Sequence, residues 1–412
     1  MYVLPKRKKL FMAARSIICY AGFWLAKAQK GTGKVIADLM LLIVGEQSFN
    51  SSSLDYLISS LDKFNQTLEQ YWEENRELDL YVAISTIADD LEGFFTSPPQ
   101  SLMIETANWI VEKTISIKGL PINDISLSVC NRQRKQSFFG KITTQEGHQN
   151  YPLQALLPLL NFTLTAAVAQ VGDGVKRQIR GGPIGCPLSP AWCVAVATKC
   201  ELDFLSSHVS YKHTRCKLWQ VVRYVDNRYV LSLRVNGQVQ LPIELFDPKF
   251  YGETIVLKPE SKEVLLGTQL LISQEDHSVT IQDPPRIECR YVVIGFPAQY
   301  HTGIELEQGH WWRYRTAETA SSEKSIMSAF VGRLHLARRS SFPKVRVEQA
   351  ISRLVFVYKL LGFSSNVLCK YLKRFFKKQP TCVGDHWKRT VIELLRTNNP
   401  QSIHCLGGPE HK

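Results

Sequence analysis

Three aspartates set what chemistry this chain can do. Asp89 and Asp90 close the run YVAISTIADD, whose first eight residues suit a buried strand, and Asp226 lies in RYVDNRYVL, Arg223 to Leu231. The runs LWQVVRYV and RYVLSLRV flank Asp226–Asn227, and a two-residue turn there closes an antiparallel hairpin with Asp226 projecting from its bend. A carboxylate at the end of a buried strand is costly unless it meets cations or water, and aspartate oxygens are ligands that hard divalent ions take. Strand-end carboxylates on separate strands therefore point to a metal site. Each alone also fits a plainer role, Asp226 as a turn residue and Asp89–Asp90 as a solvated strand end.

The elements that must position them can be read around them. After Asp90 the chain turns through Gly93 and meets Pro98 and Pro99, where a helix carrying Leu102, Met103, Thr106, Trp109 and Ile110 runs to about Thr114. Residues 115–160 read as strands and loops with a basic cluster at Asn131 to Lys135, and Leu153 to Val171 as an apolar helical run. In RQIRGGPIGCPLSPAWCVAVATKCELDFL, Gly and Pro from Gly181 to Pro187 forbid regular structure and bring backbone close to whatever lies above. Ser189 and Pro190 there form an N-cap and first-turn pair for a helix through about Leu205. Ser53 to Leu80 is helical and acidic. After the hairpin, FYGETIVLKPESKEVLLGTQLLIS gives short strands with Lys258 and Gly267 at the breaks, and HWWRYR at 310–315 is an aromatic and basic cluster that could stack on bases or plug a core. From about Ser325 the pattern is helical: one helix from Ala350 to Leu361 stops at Gly362, and Ser364 or Ser365 caps the next. That next helix turns Leu368, Leu372 and Phe375 inward and Lys370, Lys373, Arg374, Lys377 and Lys378 outward.

The 412 residues, 44% hydrophobic and 21% charged, describe a globular protein of two or three units sharing a core. Val35 to Gly45 is too short to span a bilayer, and Leu10 to Ala28 is interrupted by Arg15 and Lys27. Arg15 also argues against reading PKRKK and its apolar sequel as a secretory signal, so a cytoplasmic or nuclear, non-secreted protein without a membrane partner is expected. The ten cysteines show no CxxC pair and no Cys/His spacing of a zinc site. Cys186, Cys193 and Cys200 recur every seven residues, but Cys193 and Cys200 share a helical stripe with Val196, Ala197 and Phe204 and read as core. Net charge is +13, and residues 331–400 hold 15 Lys and Arg against 3 acidic residues, so the excess is concentrated near the C-terminus and asks for a polyanionic partner.

Two strand-end carboxylates, a close-approach loop between them in sequence and a basic helical C-terminal unit are the parts that templated nucleotidyl transfer needs, with two divalent ions bridging the 3′-hydroxyl and the triphosphate. In motif order the chain resembles a reverse transcriptase of the retroelement type. ADDLEGFF resembles the family's first palm motif, which implies Asp90 as ligand of both metals and the Leu91 carbonyl as ligand of one. YVDN resembles the third motif and makes Asp226 the second metal carboxylate. GGPIGCPLSP resembles the second motif, implicating Gly185, Pro187, Ser189 and Pro190 in supporting nucleotide and template. LPKRKKLFMAARSII is similar to the fingers strands, where Arg15 and one of Lys6, Lys8 or Lys9, with Lys8 preferred, would grip the triphosphate. LKPES and LLGTQLLI resemble the next motif and the primer grip, implicating Lys258 and Gly267. In this family the residue five after the first aspartate lies beneath the sugar. Phe95 holds that position, or Phe94 were Asp89 the ligand, and an aromatic there implies deoxynucleotides.

The implied fold is α+β, a right-hand polymerase with an antiparallel-sheet palm, fingers and a helical thumb. Its segments are fingers at 1–80, palm at 81–115, a fingers insertion at 116–160, palm at 161–275, a connector at 276–325 and a basic helical thumb with tail at 326–412. The implied activity is RNA-directed DNA polymerization for a mobile element, whether still mobile or domesticated, on an RNA template with a DNA or RNA primer and dNTPs, using two Mg2+ or, in their place, Mn2+. Three departures stand out. Asn227 replaces the usual second aspartate of the third motif, which implies weaker metal binding or a manganese preference. The long interval from Asp90 to Asp226 implies an insertion, and the chain begins almost inside the fingers, as if an N-terminal portion were missing or never present. Alternatives are an RNA-directed RNA polymerase, discriminated by sugar choice at Phe95, and a catalytically inactive nucleic-acid-binding protein that keeps the fold. No endonuclease, RNase H or protease motif is seen.

Overall fold

The apolar run Val82–Glu92 is the strand on which the fold is built. A computed structural model describes residues 2–5, 14–17, 25–45, 49–51, 53–75, 77, 82–130, 138–140, 148–171, 173–207, 218–259, 264–265, 268–273, 286–291 and 317–397. In chain order its elements begin with β1 (Tyr2–Pro5), β2 (Ala14–Ile17), α1 (Ala26–Val44), α2 (Leu54–Glu74), β3 (Val82–Glu92) and α3 (Gln100–Lys118). Next come β4 (Ser126–Cys130), β5 (Phe138–Phe139), β6 (His148–Pro152), α4 (Leu156–Thr165), β7 (Val168–Val171), β8 (Gly174–Arg177) and α5 (Ser189–Ser207). The strands β9 (Trp219–Tyr224), β10 (Asn227–Val235), β11 (Gln238–Val239), β12 (Val256–Pro259), β13 (Val264–Leu265), β14 (Thr268–Ser273) and β15 (Arg286–Tyr291) follow. The chain then turns helical through α6 (Glu323–Arg339), α7 (Lys344–Leu360), α8 (Ser365–Lys378) and α9 (Asp385–Arg396). The architecture is mixed helix and antiparallel sheet, and no helix among the described residues is long and apolar enough to cross a membrane.

The main sheet has five antiparallel strands in the order β11-β10-β3-β12, with β9 sharing the outer edge of β10. Strand alternation gives it two different faces. Val82, Ile84, Ala88, Val222, Tyr229 and Leu231 face α2 and the strands β14 and β15. Ser53 caps α2 by accepting the Tyr56 N–H, and Leu54, Leu57, Leu61, Phe64 and Leu68 recur at helical spacing to form its buried stripe. Asn65, buried in that layer, pairs with Ile287 as a strand would, donating to its carbonyl and accepting from its N–H, each at 2.8 Å. The opposite face is covered by α1, α3, α4 and α5 around Leu91, Phe94, Trp192, Cys193 and Val196. Cys193 is buried there as expected, Cys200, expected on the same stripe, is only partly buried, and Cys186 is buried as well; burial pushes the Cys193 thiol up to about 12. The helices α6 to α9 enclose a core of their own, joined to the sheets where Cys289 of β15 exchanges backbone hydrogen bonds with Phe342 at 2.9 and 2.8 Å.

Some boundaries differ from those read in sequence. Helix α3 continues past Thr114 to Lys118 and stops at Gly119, which takes φ +64°. The run from Leu153 to Val171 is helical only over Leu156–Thr165; beyond it the chain turns extended, and Val168–Val171 pairs with Gly174–Arg177 as β7 and β8. Helix α7 begins at Lys344, six residues before Ala350, and of the two serines expected to cap α8, Ser364 does so.

Candidate active site

The register of β3 against β10 decides which aspartate faces which way. Asn227 lies opposite Asp90 and Arg228 opposite Asp89, so neighbouring residues of each strand point to opposite faces. Asp89 enters the helix-covered face. There it is 6% exposed and accepts from Arg228 Nε at 3.0 Å and Nη2 at 2.6 Å, and Arg228 also donates to the Leu245 carbonyl at 2.8 Å. It is a structural ion pair and not part of a metal-binding Asp89–Asp90 pair. Asp90 faces the other way, half-buried, and accepts from Asn227 Nδ2 at 3.0 Å.

The hairpin closes one residue earlier than expected. Tyr224 pairs with Asn227, so the two turn residues are Val225 and Asp226, and Asn227 is the first residue of β10. This register puts Arg223 and Arg228 on the buried face with their carboxylates, which outweighs the preference for Asn in a turn. Asp226 is half-buried at the bend, and its carbonyl accepts the Leu91 N–H at 2.7 Å, so the two strand ends that carry Asp90 and Asp226 touch through backbone. On the other side of β3, Lys258 of β12 lies opposite Asp90, although its Nζ meets Glu92 at 2.5 Å. That pair is more than half exposed and adds little to stability.

The turn after β3 and the Gly/Pro loop lock together. Gly181 N–H donates to the Pro98 carbonyl at 2.7 Å and Gly182 N–H to the Phe95 carbonyl at 2.8 Å. A Cβ at Gly181 would lie 2.3 Å from the Phe95 oxygen, at a φ of +64°. The loop thus comes as close to the turn as glycine allows. Phe94 is core at 2% exposure, which leaves the partly buried Phe95, edge-on to Phe94 at 5.0 Å between centroids and packed against the same core, as the more accessible of the two aromatics. Gly185 is exposed at φ +106° and Pro187 partly buried. Ser189 departs from expectation: it is the first residue of α5, is 2% exposed, and donates its hydroxyl to the Pro183 carbonyl at 2.9 Å, so it braces the loop from inside and presents nothing to a ligand.

The structure therefore gathers Asp90, Leu91, Asp226 and Lys258 at one sheet end and docks the 181–188 loop on the adjoining turn. Arg15 lies in β2 opposite Leu4, while Lys8, Gly267, the 131–135 cluster and HWWRYR fall outside the described residues. The residues that sequence reasoning passed over are Arg223, Glu201 and Tyr251, all fully buried. Arg223 bonds Glu201, and the Tyr251 hydroxyl donates to Glu201 at 2.9 Å. A signal existed, since an arginine inside the apolar run QVVRYV is a buried cation that must find a carboxylate.

As a donor set, the carboxylates of Asp90 and Asp226 and the backbone oxygen of Leu91 are hard oxygens suited to a divalent cation. Among the described residues no three His, Cys, Asp or Glu side chains converge as a complete cage, so such an ion would draw the rest of its shell from substrate or water. No family model matches the chain, and no curated protein does. Among solved structures, the telomerase of Candida tropicalis in complex with a TWJ fragment of telomeric RNA is similar at 11% identity and a TM-score of 0.44, over 93% of this chain and 56% of that one. The apo form of the same telomerase is similar at 11% identity and 0.43, over 94% and 60%. A Candida albicans telomerase, again with a TWJ fragment, is similar at 10% identity and 0.43, over 90% and 59%. The chain thus spans less than two thirds of the telomerase chains it is similar to, and likeness of this degree assigns it neither an activity nor a partner.

Proposed function

We propose that the chain is a reverse-transcriptase-like enzyme, an RNA-directed DNA polymerase with the main sheet as palm and α6 to α9 as thumb. The observation that supports this best is the pairing of the β3 and β10 ends, which brings Asp90 and the Asp226 turn together, both half-buried, at one end of the sheet while Asp89 is committed to Arg228. Asp90, Asp226 and the Leu91 carbonyl would hold two Mg2+ or Mn2+ ions. When bound, these ions lower the proton affinity of a primer 3′-hydroxyl and offset the charge gathering on the triphosphate. The chain's own residues do the rest. Asn227 orients the Asp90 carboxylate through its amide. Lys258, opposite Asp90 in register, would bring its positive charge to a phosphate once released from its exposed pair with Glu92. Phe95 on the docked turn excludes a 2′-hydroxyl, and Lys370, Lys373, Arg374, Lys377 and Lys378, all exposed on α8, hold template–primer phosphates. An origin in a retroelement rests on motif order.

The test is primer extension on poly(rA) with an oligo(dT) primer, in Mg2+ and separately in Mn2+, beside Asp90→Ala and Asp226→Ala. Extension by the parent and loss in both variants is the expected result. A second reading, a nucleic-acid-binding protein without catalysis, is favoured by Asn227, which puts an amide where a further carboxylate would serve the metals. It predicts duplex binding and no extension in either ion.

A further inference from the structure

Arg223, one residue from the end of β9, is fully buried directly across from Arg228, which is buried as well. Two guanidinium groups side by side in a dry layer persist only if each has its own carboxylate. Arg228 has Asp89; Arg223 has Glu201 of α5, reached through Nε and, at 3.3 Å, through Nη2. Nη2 also donates to Thr198 Oγ1 at 3.0 Å, so Arg223 is fastened to α5 at two residues. Burial opposes its charge, but Glu201 outweighs that, and the guanidinium stays above its ordinary range.

A further hydrogen bond makes this more than a core ion pair. Arg223 Nη1 donates to the carbonyl of Val225 at 2.9 Å. Val225 precedes Asp226 and sits at φ +56°, a left-handed conformation that a β-branched side chain resists and that persists only where surrounding contacts over-determine it. Here those contacts are the Arg223 hydrogen bond before Asp226 and the Leu91 N–H on the Asp226 carbonyl after it.

We infer that Arg223 is a positioning residue: anchored on Glu201 and Thr198, it holds Val225 left-handed and thereby sets the direction in which the Asp226 carboxylate leaves the turn. The use made of Asp226 rests on the polymerase reading, whereas the conformational claim stands without it. Because α5 is the helix that the 181–188 loop leads into, the same contacts tie that loop to the turn bearing Asp226.

The test is amide-resolved hydrogen exchange on the full chain at Leu91, with Leu231 in the middle of β10 as internal reference. The proteins are the parent, Arg223→Lys, Glu201→Gln and the double variant Arg223→Lys with Val225→Gly. Lysine keeps the charge but lacks the fork that reaches Glu201 and the Val225 carbonyl together. Exchange at Leu91 should rise about tenfold or more in Arg223→Lys and Glu201→Gln, with Leu231 changed less than about threefold. Glycine takes a positive φ without strain, so the double variant should bring Leu91 back to within about threefold of the parent. Primer extension by Arg223→Lys should lose about tenfold or more in kcat while Kd for the primer–template stays within about twofold. Equal acceleration at Leu91 and Leu231, or no rescue by glycine, would make Arg223 an ordinary core residue. Should Arg223→Lys fail to fold, Glu201→Gln, which keeps side-chain volume, decides the same comparison. A parent that never extends overturns the polymerase reading, and the exchange rates still decide the positioning role.

Discussion

Asp89 and Asp90 are adjacent, chemically identical and opposite in fate. Asp89 neutralises a buried guanidinium, and Asp90 stands half-buried on the opposite face, held by Asn227. Asp89→Asn leaves Arg228 buried without a counter-charge and should destabilise the fold by about 3–5 kcal/mol. Asp90→Asn should change stability by less than about 1 kcal/mol and abolish extension. Urea unfolding followed by tryptophan fluorescence, beside primer extension, separates the two, and a stable but inactive Asp89→Asn would reverse the assignment. In sequence, motif order favoured Asp90, but nothing in ADD itself said what Asp89 does. Asp89 is taken by Arg228, 139 positions away, a pairing that exists only once β3 and β10 are in register.

At the scale of elements, the Gly/Pro segment was legible as irregular and close to something, but what it approaches was not. It meets the Phe95–Pro98 turn through backbone hydrogen bonds, which carry no side-chain signature. Gly181→Ala should therefore be severe for so small a change: the added methyl meets a backbone carbonyl that cannot swing away, at a φ that alanine resists. A loss of about 1–3 kcal/mol is expected, with extension reduced more than the thermal midpoint alone would imply. Thermal unfolding and extension at a permissive temperature check it; a neutral Gly181→Ala would mean the loop does not hold the turn. The hairpin was legible too, and its closing residue was not. Propensity disfavours valine at positive φ, and the burial of Arg223 and Arg228 on one face, with the hydrogen bonds on the Val225 and Asp226 carbonyls, overrides it. The Leu156–Thr165 helix was overextended because an apolar run such as AAVAQV fits helix and strand alike until a turn is placed.

For the whole molecule, what sequence showed best was charge. The basic C-terminal stretch forms an exposed cationic face on α8 over a well-packed apolar core, because Leu368, Leu372, Phe375 and Phe376 occupy the inward positions. Binding of nucleic acid to that face should weaken as salt rises. Replacing Lys373, Arg374 and Lys377 with glutamine should lower the slope of log K against log salt by about 0.9 for each phosphate no longer neutralised. Fluorescence anisotropy with a labelled RNA–DNA duplex at several salt concentrations measures it, and an unchanged slope would place the nucleic acid elsewhere. Sequence could not foresee how the helical unit joins the rest. That junction is a backbone exchange between Cys289 and Phe342, supported by the Tyr291 N–H on Ser341 Oγ at 2.9 Å, and neither pair has a recognisable residue pattern.

The separation of the two buried ion pairs from the two half-buried carboxylates at the sheet end has a consequence for descent. Substitutions at Asp90 or Asp226 leave no buried charge unpaired, so a lineage released from selection for chemistry can drift there and still express an intact body. Substitutions at Asp89, Arg228, Glu201 or Arg223 leave a buried charge alone and are purged as long as any use of the folded chain persists. Those four positions would then be the last to decay in a copy kept only for binding.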